Sequence, residues 1–99
     1  MGYKLSVKAS DDLEEIWFYT LKNWSLEQAD RYVNLIFDEI EYLSLKPLSG
    51  KDYSNIREGY RRAKVKSHLI FYRMLESKSE IEVIRILHEN RDIENRLKD

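Results

Sequence analysis

Two histidines, His68 and His88, and a set of cations in the second half carry whatever proton or charge chemistry this chain has, because it contains no Cys. Imidazole titrates near neutrality and acts as a general acid or base when a reacting proton lies within hydrogen-bond reach. Metal-independent acid–base chemistry needs one group to take a proton, one to return it, and a cation where negative charge develops. His88 is the candidate proton carrier, with Arg85 and Arg91 close by in sequence. The competing reading is that a histidine at a strand end packs or hydrogen-bonds rather than reacts. Arg62, Lys64 and Lys66 share one side of an alternating run, and with Arg85 and Arg91 they are expected to converge on one sheet face. A zinc site is disfavoured, since there is no thiolate and no H-x-x-x-H, and the histidines fall on different predicted elements. No metal or other cofactor is called for. The patterns G-x-x-x-x-G-K-[ST], G-x-G-x-x-G and G-x-S-x-G are absent, so nucleotide-binding and hydrolase readings lack support.

The elements that must position these groups follow from periodicity. Tyr3 to Lys8 alternates apolar and polar, as a half-buried strand does. Ser10 precedes two acids that suit a helix N-terminus, and Leu13, Ile16, Trp17, Thr20, Leu21 and Trp24 then recur at three and four, which predicts an amphipathic helix. Ser25-Leu26-Glu27-Gln28 is a capping-box pattern, so a second helix should begin at Leu26 and end before Pro47. Its apolar stripe runs through Ala29, Tyr32, Val33, Ile36, Phe37, Ile40 and Leu43. A surface loop follows to about Gly59. Tyr60 to Lys66, Leu69 to Leu75 and Ile81 to Leu87 read as strands joined by short connections, Ser67-His68 and Glu76 to Glu80, which implies an antiparallel meander. The tail from Asp92 suits a short helix that needs a docking surface.

The expected fold class is α+β: an N-terminal strand, a helical hairpin and a three-stranded antiparallel meander forming one curved, four-stranded sheet, with a short C-terminal helix. Residues 1–99 are read as one domain. The helices should cover one face and leave the other available. The expected core is Leu13, Ile16, Trp17, Val33, Ile36, Phe37, Ile40, Ile70, Tyr72, Val83 and Ile86, with Trp17 and Trp24 read as core rather than as a stacking platform. No apolar run reaches the length of a signal peptide or membrane span, so a cytoplasmic protein is expected, with no membrane partner. Net charge is −1, yet residues 1–50 carry 5 Lys/Arg against 9 Asp/Glu and residues 51–99 carry 12 against 9. The second half therefore offers a local positive surface on a chain that is not basic overall.

Five fragments in order carry a resemblance. Ala9-Ser-Asp-Asp12-Leu13-Glu-Glu-Ile16 matches an "A-x-x-D-L-x-x-I" helix, and Gln28-Ala29-Asp-Arg-Tyr32-Val-Asn-Leu-Ile36 a "Q-A-x-x-Y-x-x-x-I/L" segment. Pro47, Gly50, Arg57, Gly59, Arg61 and Arg62 fall on "P-x-x-G … R-x-G-x-R"; His68-Leu-Ile70-Phe-Tyr72-Arg73 falls on "H-x-I-x-Y-R"; and the stretch from Ile84 to Asp92 resembles "RILH-x-x-RD". Together they resemble the RelE/ParE superfamily of toxins, and its ParE branch rather than its RNA-cleaving RelE branch.

The resemblance implies the toxin of a type II toxin-antitoxin system. Its expected partners are a cognate antitoxin, of the ribbon-helix-helix ParD-like kind, and DNA gyrase as target; no sequence-specific DNA binding is expected from this chain alone. RelE-type sites add a tyrosine or histidine near the C-terminus to their cations, and here the last Tyr is Tyr72. That departure favours an inhibitory protein over a nuclease, leaving His88, Arg85 and Arg91 as the residues of the nuclease alternative. Arg57, Arg61, Arg62, Lys64, Lys66, Arg85, His88 and Arg91 are the expected antitoxin- or target-binding set. A second, apolar surface is expected between the helical hairpin and the sheet edge, where Leu21, Trp24 and Tyr42 remain partly exposed.

Overall fold

The computed structural model describes residues 2–76 and 80–98, so part of the connection between Glu76 and Glu80 lies outside the described residues. The chain runs β1 (Gly2–Leu5), α1 (Val7–Asn23), α2 (Leu26–Leu45), a 3-10 turn (Pro47–Ser49), β2 (Lys51–Asp52), β3 (Tyr60–Val65), β4 (His68–Met74), β5 (Glu80–His88) and α3 (Ile93–Lys98). The α+β reading and the meander hold, since β3, β4 and β5 pair antiparallel in turn. The sheet is mixed and has five strands rather than four, in the order β1-β5-β4-β3-β2. The extra strand is two residues long, Lys51 and Asp52 opposite Arg62 and Arg61, too short for alternation to mark it. β1 returns to lie parallel to β5, with Leu5 opposite Val83.

The first strand ends earlier than the alternation through Lys8 suggests. Ser6, not Ser10, caps α1: its hydroxyl accepts from the Ala9 N–H at 2.9 Å and donates to the Ile84 carbonyl at 2.6 Å. One side chain thus satisfies a free helix-terminal donor and ties the helix start to β5. Ser10 consequently lies inside the helix, and Asp12 has no capping role. α2 begins at Leu26 as expected, with the Ser25 hydroxyl accepting from the Gln28 N–H at 3.1 Å.

Apolar residues pack on both sides of the sheet. On the helix side, Leu13 and Ile16 of α1 and Ile36, Ile40 and Leu43 of α2 meet Ile70, Tyr72, Val83 and Ile86. Each such fully buried side chain contributes roughly 1.5–3 kcal/mol of transfer free energy. Val33 and Phe37 join this core only in part, whereas Trp17 is half-buried and bonds through its ring N–H to Asp30 at 2.8 Å. Trp24 is 69% exposed, so it is not core. The opposite face, expected to be free, holds a second cluster in which Leu97 and Ile93 of α3 pack on Leu69, Phe71 and Leu87. That second cluster explains why β4 reads as an unbroken apolar run: Leu69 to Tyr72 are buried from both sides.

Candidate functional site

The cations singled out in the sequence do not converge on one sheet face. Arg85 is buried and forms a two-toothed pair with Asp12, through Nε and Nη2 at 2.9 Å each. The same carboxylate accepts from the Ile86 N–H at 2.9 Å, so Asp12 serves β5 at a point that β1 no longer reaches. Arg85 also donates to the Arg96 carbonyl, and Arg57 to the Leu97 carbonyl, each at 3.4 Å. Both hold the end of α3. Arg61 turns toward the 47–50 loop, donating to the Gly50 carbonyl at 2.8 Å and the Leu48 carbonyl at 3.1 Å. Arg62 lies over the Tyr53 ring, 5.4 Å from its centroid, and Lys64 pairs with Glu89 at 2.9 Å. That lysine holds the Glu89 carboxyl below its ordinary range.

Lys66, Arg85, His88 and Arg91 are the members of the expected set that line one cavity, whereas Arg62 and Lys64 line another. Alternation fails to separate Lys66 from Arg62 and Lys64 because β3 ends at Val65 and Lys66 enters the turn at φ 54. α1 extends from Asp12, which is tied to β5, to Asn23, roughly 16 Å at 1.5 Å per residue, so the helical hairpin overhangs the end of the sheet. Beneath the overhang lies an open groove of about 870 Å³. Tyr19, Trp24, Arg31 and Leu35 line its helix side; Lys66, His68, His88, Arg91 and Arg96 line its sheet end. Tyr19 and Trp24 are 68% and 69% exposed.

His68 and His88 lie on different elements as expected, β4 and β5, yet stand directly opposite each other with ring centroids 5.3 Å apart. The first residue of one hairpin strand faces the last of the next, which is the signal in the sequence that would have joined them. Tyr32 of α2 reaches His68 Nδ1 with its hydroxyl at 2.6 Å. Burial first, then the electrostatic influence of the neighbouring His88 and Arg91, lowers the His68 pKa to about 4, so the ring is neutral near pH 7. His88 Nδ1 accepts from the Asn90 N–H at 3.1 Å, which assigns its proton to Nε2 as a donor.

This arrangement of strand, helical hairpin and meander is that of the RelE/ParE toxins. The protein from a chromosomal ParDE system of P. aeruginosa superposes with a TM-score of 0.76 at 22% identity, covering 89% of this chain and 95% of that one. Isolated E. coli RelE gives 0.59 at 12% identity over 95% of this chain and 90% of its own. Within that fold, residues 3–93 match the family described as the ParE toxin of the type II toxin-antitoxin system parDE. Toxin ParE1 of Caulobacter vibrioides is 39% identical over 88 residues, covering 89% of this chain and 88% of its own. Toxin ParE1 of Mycobacterium tuberculosis is 36% identical over 95 residues, covering 96% of each. The chain belongs to the ParE toxin family of type II toxin-antitoxin systems.

Proposed function

We propose that this toxin acts by binding rather than by cutting: it inhibits DNA gyrase in the cytoplasm and is held inactive by a ParD-like ribbon-helix-helix antitoxin encoded beside it. One observation carries the reading. Arg85, one of the residues of the nuclease alternative, is engaged by Asp12, while exposed aromatic rings and cations surround a groove of peptide-binding size. An inhibitory protein needs such a surface and no proton-transfer constellation. The purified chain should therefore block supercoiling by gyrase, or stabilise its cleaved complex, at concentrations that leave ribosome-bound messenger intact. It should co-elute with the neighbouring antitoxin at micromolar concentration, consistent with a dissociation constant of roughly nanomolar or below. Failure to co-elute would dismiss the pairing.

A ribosome-dependent nuclease is the second reading, and the facing His68 and His88 favour it. If His88 transfers a proton, His88→Ala should lower a cleavage rate by on the order of a hundredfold or more. Specific messenger cleavage that disappears in that variant would replace the gyrase reading.

A further inference from the structure

The sheet face turned away from the helical hairpin carries a cationic patch of its own. Ala63 and Val65 of β3 pack into the helix-side core, so alternation puts Arg62 and Lys64 on the opposite face. Lys51 of β2 stands directly across from Arg62, and residues in register point to the same side. These three cations, with Leu69 and Glu89, line a shallow depression of about 420 Å³ that shares no lining residue with the groove. Like charges directly across two strands destabilise a sheet, yet neither Lys51 nor Arg62 has an ion pair among the described residues. The Arg62 guanidinium sits over the Tyr53 ring, which holds a planar set of donors in place without neutralising it. Lys64 reaches Glu89 at 2.9 Å in an exposed pair that another anion can exchange.

The occupant follows from what surrounds the charges. None of the large apolar side chains exposed among the described residues lines the depression, and Leu69 at its floor is 6% exposed. A protein partner takes its affinity from aromatic and aliphatic anchors that become desolvated, and such an anchor has nothing to bury against here. A phosphodiester backbone needs only cations, because neutralised phosphates release their condensed counterions.

We propose that this outer face contacts the phosphate backbone of the DNA held by gyrase, through Lys51, Arg62 and Lys64 and without reading sequence. The inference rests on the gyrase reading and makes the enzyme–DNA complex, rather than the enzyme alone, the preferred target.

The test measures binding of the full-length toxin to purified gyrase alone and to gyrase loaded with a mixed-sequence duplex, over a range of salt. Wild-type toxin should bind the loaded enzyme at least tenfold more tightly, with a log–log salt slope steeper by roughly 0.9 per cation, about 2.7 for three. Arg62→Gln should remove about 1 of that extra slope and reduce the gain from DNA. Lys51→Glu should abolish most of the gain while the melting temperature stays level or rises, since opposite charges then face each other across β2 and β3. Glu89→Gln frees Lys64 and should enlarge the gain. Lys22→Glu, on the exposed outside of α1, should leave it unchanged. Wild-type toxin that binds gyrase in neither state would overturn the gyrase reading and this inference together. Equal binding with and without DNA, or a gain that survives both Lys51→Glu and Arg62→Gln, would overturn the inference alone. If both variants weaken binding equally with and without DNA, the patch meets an acidic protein surface and the inference falls as well.

Discussion

Replacing Arg85 with Met separates a structural from a functional account of that residue. Asp12 and Arg85 are 8% and 11% exposed as side chains, and their two bonds, at 2.9 Å each, have nearly ideal charge-assisted geometry. Arg85→Met fills similar volume but strands a buried carboxylate that keeps the Ile86 N–H and loses its counter-charge, and unpairing a buried charge in this way costs about 3–5 kcal/mol. A domain of this size holds about 5–15 kcal/mol in all. With a urea slope near 1.5 kcal/mol/M, the midpoint should fall by roughly 2–3 M at unchanged slope. The double variant Asp12→Leu with Arg85→Met should recover part of this, because no unpaired charge remains. It should still lack roughly 1–3 kcal/mol, since the Ile86 N–H then has no acceptor. The assay is equilibrium urea unfolding followed by far-UV circular dichroism, paired with toxin activity. A midpoint lowered by less than about 0.5 M, with activity lost, would refute the argument and return Arg85 to the functional set.

Stability should depend on His68 at mildly acid pH. Because its folded pKa is lowered to about 4 from 6.5, the unfolded chain takes the proton first. Stability is therefore full above pH 6.5 and falls as pH drops toward 4, with a limiting slope of about 1.4 kcal/mol per pH unit. The ring is only partly buried, so solvent screening reduces the whole loss to about 1–2 kcal/mol. His68→Gln should flatten the urea midpoint between pH 7 and about 4.5 relative to wild type, and parallel profiles would count against it. Tyr72→Phe removes a hydroxyl that donates to the Pro47 carbonyl at 2.7 Å and accepts from the Gly50 N–H at 2.9 Å; it should cost about 1–3 kcal/mol by urea unfolding, and a neutral result would mean that water replaces both bonds. Ile40→Ala, fully buried, should cost about 2–5 kcal/mol, and Phe37→Ala, half-buried, should fall at or below the low end of the 3–5 kcal/mol usual for Phe. The reverse order of melting temperatures would show the phase of α2 to be wrong.

What was legible in the sequence was local. The spacing of Leu13 and Ile16, and of Ile36, Ile40 and Leu43, places them correctly because a helix of 3.6 residues per turn leaves one solution for an apolar stripe. The three strands of the meander were legible from their short connections. Pairing across the chain was not. Nothing near Arg85 shows that its partner lies 73 residues away, or that Ser6 outcompetes Ser10 as a cap because its hydroxyl also reaches Ile84. A surface cation and a buried one are written with the same letter, so buried Arg85, loop-bound Arg61 and exposed Lys64 look alike in the sequence. His68 and His88 are 20 positions apart on different elements, and only the register of the antiparallel hairpin, which brings its strand ends together, makes them neighbours.

The residues that carry the family resemblance are largely those that hold the fold, and this limits what the resemblance says about a target. Pro47, Gly50, Arg61 and Tyr72 form one clamp: the Tyr72 hydroxyl bridges Pro47 and Gly50, and Arg61 closes on the Gly50 carbonyl. Gly50 is required there because a Cβ would press against the Tyr72 ring, with carbon atoms only 2.8 Å away. Asp12 and Arg85 form a second clamp between α1 and β5. Changes at either clamp alter stability first and activity through it. Tyr19, Trp24, Arg31 and Lys66 hold no part of these clamps, yet they line the groove. Two chains can therefore share every clamp and still meet different partners, because partner choice depends on differences in contact energy at the groove. Exchanging these four residues between members with different targets is the substitution that should move specificity without moving the melting temperature.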